Sequence, residues 1–144
     1  MTSMVVAQEV ERSADPPGAS AAIDRITQAQ PQAAARLLAE PGLRRALIAV
    51  TAASPWLTRV CTTDPAALDV LADLSVCVGP PAGEVTGRTL ARWKALEVLR
   101  IGARDLLGLD SLEAVGANLS RLADAIIAAA CAVTAGPGGL AVIG

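Results

Sequence analysis

The sequence predicts a mainly α-helical protein: an array of short helices, then a long antiparallel helical hairpin, then the first strand of an incomplete α/β domain. Three observations carry that expectation. Of the 144 residues, 53% are hydrophobic but only 1% aromatic, so helices rich in Ala, Leu and Val must pack through thin faces. Capping residues stand directly ahead of prolines at Ser54-Pro55 and Asp64-Pro65, where the cap oxygen accepts an orphan N–H and proline has none to leave unpaired. In the second half, apolar residues recur in steps of three and four along two long segments.

Taken in order, residues 1–19 read as a disordered leader, because Asp15-Pro16-Pro17-Gly18-Ala19 is a cluster of helix breakers with nothing periodic before it. A helical domain over 20–135 follows. Its first helix carries Ile23 and Ile26 on one side and ends before Pro31. Pro31 then opens a short helix through Ala39, with Leu37 and Leu38 apolar and Arg36 outward. Pro41 opens another, in which Leu43, Leu47 and Val50 recur at helical spacing and Arg44-Arg45 take the opposite face. After Asp64, the positions Ala67, Leu68, Leu71 and Leu74 form an apolar face, leaving Asp69 and Asp73 to water. Cys77 to Gly83 is a Pro/Gly loop.

The hairpin comes next. One helix is expected from Thr86 or Gly87 to Leu107, burying Trp93, Leu96, Leu99, Ala103 and Leu106. Gly108-Leu109-Asp110 turns the chain, and Asp110 with Glu113 reads as a capping-box variant with Asp110 as N-cap. The second helix should bury Leu112, Val115, Leu119, Leu122, Ile126 and Val133. Residues 136–144 break the pattern: Gly136-Pro137-Gly138-Gly139 cannot continue a helix, and Leu140-Ala141-Val142-Ile143-Gly144 reads as a buried strand. A lone strand has two unpaired edges, so truncation, or pairing with another chain, is the expectation there. A strand ending in Gly opens a dinucleotide fold as readily as a nucleotidyltransferase sheet.

Composition excludes several chemistries. With no His, Ser-His-Asp and Cys-His nucleophile systems and the commonest zinc ligand sets are out. The lack of Tyr and Phe argues against base stacking on aromatic platforms, and the net charge of −2 against phosphate-backbone binding, so no nucleic-acid partner is expected. Cys61, Cys77 and Cys131 lack metal or CxxC spacing and read as reduced thiols filling small core positions. The N-terminus lacks the basic region of a signal peptide, and the apolar run Ala125 to Ala135 is too short to span a bilayer. A cytoplasmic protein with no membrane role is the expectation.

The remaining candidate features are weighed against plain structural roles. Arg88, Arg92, Arg100 and Arg104 lie at multiples of four along one helix and offer a surface for an anion or a partner protein. A solvated face laced with ion pairs, each contributing a few tenths of a kcal/mol, is the stronger reading. Trp56 and Trp93 read as core packing. Asp64, Asp69 and Asp73 match no oxygen cage and read as caps and solvent-facing acids. No catalytic, cofactor-binding or metal-binding residue is assigned.

Read together, Ala52-Ala53-Ser54-Pro55-Trp56-Leu57-Thr58-Arg59-Val60-Cys61, Thr63-Asp64-Pro65-Ala66-Ala67-Leu68, Leu96-Glu97-Val98-Leu99-Arg100-Ile101-Gly102-Ala103-Arg104-Asp105-Leu106-Leu107-Gly108, Leu119-Ser120-Arg121-Leu122-Ala123-Asp124-Ala125-Ile126 and the closing strand give a recognisable order. Over residues 43–144 it resembles the bacterial glutamine synthetase adenylyltransferase/adenylyl-removing enzymes, with Leu-Arg-Ile-x-x-Arg-Asp-Leu its most specific element. The resemblance implies a helical lead-in, from the N-terminal, adenylyl-removing half, to a nucleotidyltransferase core. That core's first strand is followed in the family by a Gly-Gly turn and paired aspartates that hold magnesium and nucleotide phosphates. It also implies a parent enzyme that moves AMP between ATP and a tyrosine of glutamine synthetase, uses magnesium, and responds to the PII signalling protein. Since the family's catalytic positions fall beyond Gly144, this chain alone should transfer no AMP and hold no cofactor. Two other readings stand beside it: a self-contained helical interaction module with the Arg88–Arg104 stripe as its binding face, and the leader of a Rossmann oxidoreductase.

Overall fold

A computed structural model of the protein describes residues 3–134. Those residues form eight helices and no strand: α1 (Met4–Glu11), α2 (Pro16–Ala29), α3 (Ala33–Ala39), α4 (Pro41–Ala53), α5 (Pro55–Thr63), α6 (Ala66–Ala72), α7 (Gly87–Leu106) and α8 (Leu112–Thr134). The expected strand Leu140–Gly144 and the turn before it lie outside the described residues.

Local chemistry sets most of the helix starts. Pro16, Pro41 and Pro55 occupy first-turn positions of α2, α4 and α5. The Asp15 carboxylate accepts from the Gly18 N–H at 3.1 Å, and the Ser54 hydroxyl accepts from the Leu57 N–H at 3.3 Å. At α7 the caps are reciprocal: Thr86 Oγ1 accepts from the Thr89 N–H at 3.2 Å, and Thr89 Oγ1 accepts from the Thr86 N–H at 2.9 Å. α7 ends in a Schellman motif. Gly108 takes φ +67°, so the Leu109 N–H reaches the Arg104 carbonyl and the Gly108 N–H the Asp105 carbonyl, both at 2.9 Å.

α4 is the hub, packing against α1, α2, α3, α5, α6 and α7. It can do so because Leu43, Ala46, Leu47 and Val50 are all fully buried while alternating small and branched side chains keep the neighbours close. Ile26, Leu37, Leu68, Leu71 and Leu99 complete that core, and Leu90, Trp93, Ile101 and Leu122 form a second, smaller cluster between α7 and α8.

The leader expectation for residues 1–19 needs correcting. Met4–Glu11 is helical and seats Val6 and Val10, one turn apart, in the main core, and Asp15-Pro16 starts α2 by the same cap-then-proline device as Ser54-Pro55. Other corrections concern burial. Trp56 is half exposed and Leu106 is exposed, because each lies on the outer side of its helix. Arg44 is not outward: it is buried, donates to the Leu37 carbonyl at 2.8 Å and pairs with Glu9 at 2.9 Å. Of the cysteines, Cys61 alone is buried; Cys77 is exposed and Cys131 intermediate.

Candidate functional site

Of the side chains singled out in the sequence, Trp93, Arg100 and Arg104 converge, together with Glu97, on the segment that links α6 to α7. This segment has no regular structure, so its backbone groups need partners from elsewhere. α7 supplies them. Trp93 Nε1 donates to the Val78 carbonyl at 2.7 Å, and the Glu97 carboxylate accepts from the Val78 N–H at 2.8 Å. Arg100 and Arg104 both donate to the Leu74 carbonyl, at 3.2 and 3.1 Å. Side chains spaced over three turns of one helix therefore fix two points of a single strap.

The same arginines are held by carboxylates. Arg100 and Glu97, three residues apart and both buried, pair at 2.6 Å. Arg104 makes a two-point pair with Asp110 at 2.8 and 2.7 Å, which crosses the turn into α8. Arg92 does likewise with Asp64 at 2.6 and 3.0 Å, tying α7 to the start of α6. The hydrogen bonds from Arg104 hold the Asp110 carboxyl below its usual range, and those from Arg92 do the same for Asp64. Of the arginine stripe, Arg92, Arg100 and Arg104 are thus paired within the fold, while Arg88 is exposed and enters no salt bridge among the described residues.

Because Asp110 is occupied by Arg104, it is not the cap of α8. Ser111 takes that place, its hydroxyl accepting from the Ala114 N–H at 3.2 Å. Asp69 pairs with Arg36 at 2.7 Å, where the sequence reading gave it to water alone. The spacing of Glu97 and Arg100 was visible in the sequence, but their burial was not, since it depends on where the strap crosses.

α8 presents a different kind of surface. Leu122 is its one buried residue among those described; Val115 and Ile126 pack against the smaller cluster from its edge. Leu112 is 82% exposed, Val133 54%, Ile127 47% and Leu119 43%, so much of the apolar face expected to be buried is open. From Ala125 to Val133 no charged residue interrupts the helix. By length and composition alone α8 is apolar enough to cross a membrane, and 11% of its most apolar window is covered by the rest of the fold. An open face of this kind in a folded chain marks a contact surface. Among the described residues no group of three or more His, Cys, Asp or Glu side chains is arranged to hold a metal ion.

Residues 79–136 match the family model of the glutamate-ammonia ligase adenylyltransferases, GlnE. The matched stretch begins inside the strap and takes in all of α7 and α8, whereas α1–α6 lie outside it. It includes Leu99-Arg100-Ile101 and Arg104-Asp105-Leu106, so the two arginines of the most specific motif are the two that grip the Leu74 carbonyl. The GlnE relation thus rests on the part of the fold that carries both the arginine clasp and the open apolar helix. No curated protein and no solved structure matches the chain.

Proposed function

We propose that this chain is the helical N-terminal part of a glutamine synthetase adenylyltransferase/deadenylylase, and that its α8 face is covered by the nucleotidyltransferase core of that enzyme. The observation that carries the reading is a coincidence of place. The GlnE match falls on α7 and α8, and α8 leaves Leu112, Leu119, Ile127 and Val133 exposed. The parent enzyme would move AMP between ATP and a tyrosine of glutamine synthetase in the cytoplasm, under control of the PII protein.

Magnesium and ATP belong to that parent core. Among the described residues no three acids converge as a metal would need, and Asp64, Glu97 and Asp110 are each committed to an arginine, whereas nucleotidyl transfer needs convergent carboxylates free to take divalent metal. The role assigned to this chain is to rigidify α7 through the clasp and to present α8.

Incubating the purified chain with glutamine synthetase, magnesium and ATP labelled in its α-phosphate tests this. No label transfer to glutamine synthetase is expected, and a separately produced nucleotidyltransferase core of a GlnE enzyme is expected to bind the chain and to lose that binding on Ile127→Glu. Transfer by the chain alone, or indifference of the core to α8, overturns the proposal.

A self-contained interaction module is the second reading, favoured by the main core centred on α4, which needs only α1–α7. In that case α8 binds an unrelated protein and the GlnE core does not compete for it.

A further inference from the structure

A second open surface lies away from α8 and outside the Proposed function. The end of α1, the outer side of α4 and the last turn of α7 enclose a groove of about 570 Å³. Ala49, Ala52 and Ala53 of α4 form its floor, and Ile48, Leu106 and Leu107 its apolar wall. Arg12 and Arg45 stand at its rim, both exposed, and neither enters a salt bridge among the described residues. Glu9, the acid beside them, is neutralised by Arg44 at 2.9 Å. The groove is therefore apolar at its base and positively charged at its edge.

We propose that this groove receives the apolar face of an acidic amphipathic helix from a partner protein. Charge complementarity decides the sign: two guanidinium groups without carboxylates call for Asp or Glu on the occupant, flanking its apolar stripe. Backbone chemistry decides the conformation. The groove walls are helices, and the described residues offer no sheet edge. An extended segment laid on this floor would leave its backbone unpaired against alanine side chains, whereas a helix satisfies its own. The floor's size fits as well, because three alanines let a second helix approach α4 closely.

The test uses the full chain and a fluorescein-labelled helical peptide built from Ala, Leu and Glu, compared with a counterpart carrying Lys at every Glu position. Fluorescence anisotropy is expected to show the Glu peptide binding at least about tenfold more tightly than the Lys peptide. The double variant Arg12→Glu, Arg45→Glu is expected to reverse that order, and far-UV circular dichroism checks that it folds, as two exposed side chains without partners should permit. Ala52→Trp, which fills the floor, is expected to abolish binding of either peptide. Equal affinity for the two peptides, no binding of the Glu peptide, or binding untouched by the arginine reversals overturns the proposal. So does loss of binding on Ile127→Glu with the groove intact, which would put the peptide on α8. Because the groove is separate from α8, failure here leaves the adenylyltransferase reading standing, and the converse holds too.

Discussion

Arg104 and Asp110 grip each other across the turn between α7 and α8 through two guanidinium–carboxylate hydrogen bonds, of 2.8 and 2.7 Å. The same guanidinium reaches the Leu74 carbonyl at 3.1 Å. One side chain thus joins the strap, the end of α7 and the entry to α8, and Gly108 lets the chain turn back toward it.

The pair gives the fold an acid-sensitive point. Arg104 lowers the Asp110 carboxyl below its usual value, so its contribution is present above the ordinary aspartate range, near about 3.9, and is lost as pH falls through the depressed value. Asp110→Asn is therefore expected to lower the melting temperature near neutrality and to flatten its fall in acid. Melting curves of both proteins between neutral pH and the acid limit check this; parallel curves would overturn it.

Glu97 and Arg100 form a buried pair, and removing one member leaves the other charged and unpaired. Glu97→Ala also strips the Val78 N–H of its acceptor. Each single change, Glu97→Ala or Arg100→Met, is expected to destabilise by about 3 kcal/mol. The double variant should cost clearly less than their sum. Urea denaturation of all four proteins closes the cycle, and strict additivity would show that the pair does not act as a unit.

The two faces of α8 should respond oppositely to substitution. Leu122→Ala removes a buried side chain from the smaller cluster and is expected to cost about 2–4 kcal/mol. Leu112→Glu and Ile127→Glu, on the open side, are expected to stay within about 0.5 kcal/mol of the parent and to reduce binding of a hydrophobic dye. A large destabilisation by either glutamate would mean that the open side is covered.

Thiol chemistry offers an independent check on packing. Burial pushes the Cys61 thiol up to about 12, where the reactive thiolate is absent at neutral pH. Cys77 is exposed. Ellman's reagent is expected to modify Cys77 promptly, Cys131 more slowly and Cys61 only in denaturant, as read by mass spectrometry of the modified peptides.

Much of this architecture is legible residue by residue wherever the cause is local. Ser54-Pro55, Thr86 and the Leu96–Leu99–Ala103 spacing announce their helices because caps and periodicity act within a few residues. The same locality misled at Asp15-Pro16-Pro17, where residues that break a helix in its interior also start one at its first turn. Burial is a different matter. Trp56 and Trp93 are alike in sequence, yet one is half exposed while the other hands its indole N–H to Val78, a residue fifteen positions away. The arginine stripe divides for the same reason: where the strap passes over α7 decides that Arg100 is enclosed and Arg88 is not, and no helical period encodes that crossing. On α8 the apolar spacing led to the expectation of a buried face, but among the described residues α7 is the main neighbour, and the helix has more apolar surface than α7 covers.

The open side of α8 also shapes how this protein unfolds. A chain that keeps part of its apolar surface wetted while folded has less new surface to expose when it melts. Its heat-capacity increment and its denaturant slope, which both scale with newly exposed area, should therefore be small for 144 residues. Its stability curve should be correspondingly shallow, until something settles on α8 and gives unfolding more surface to uncover.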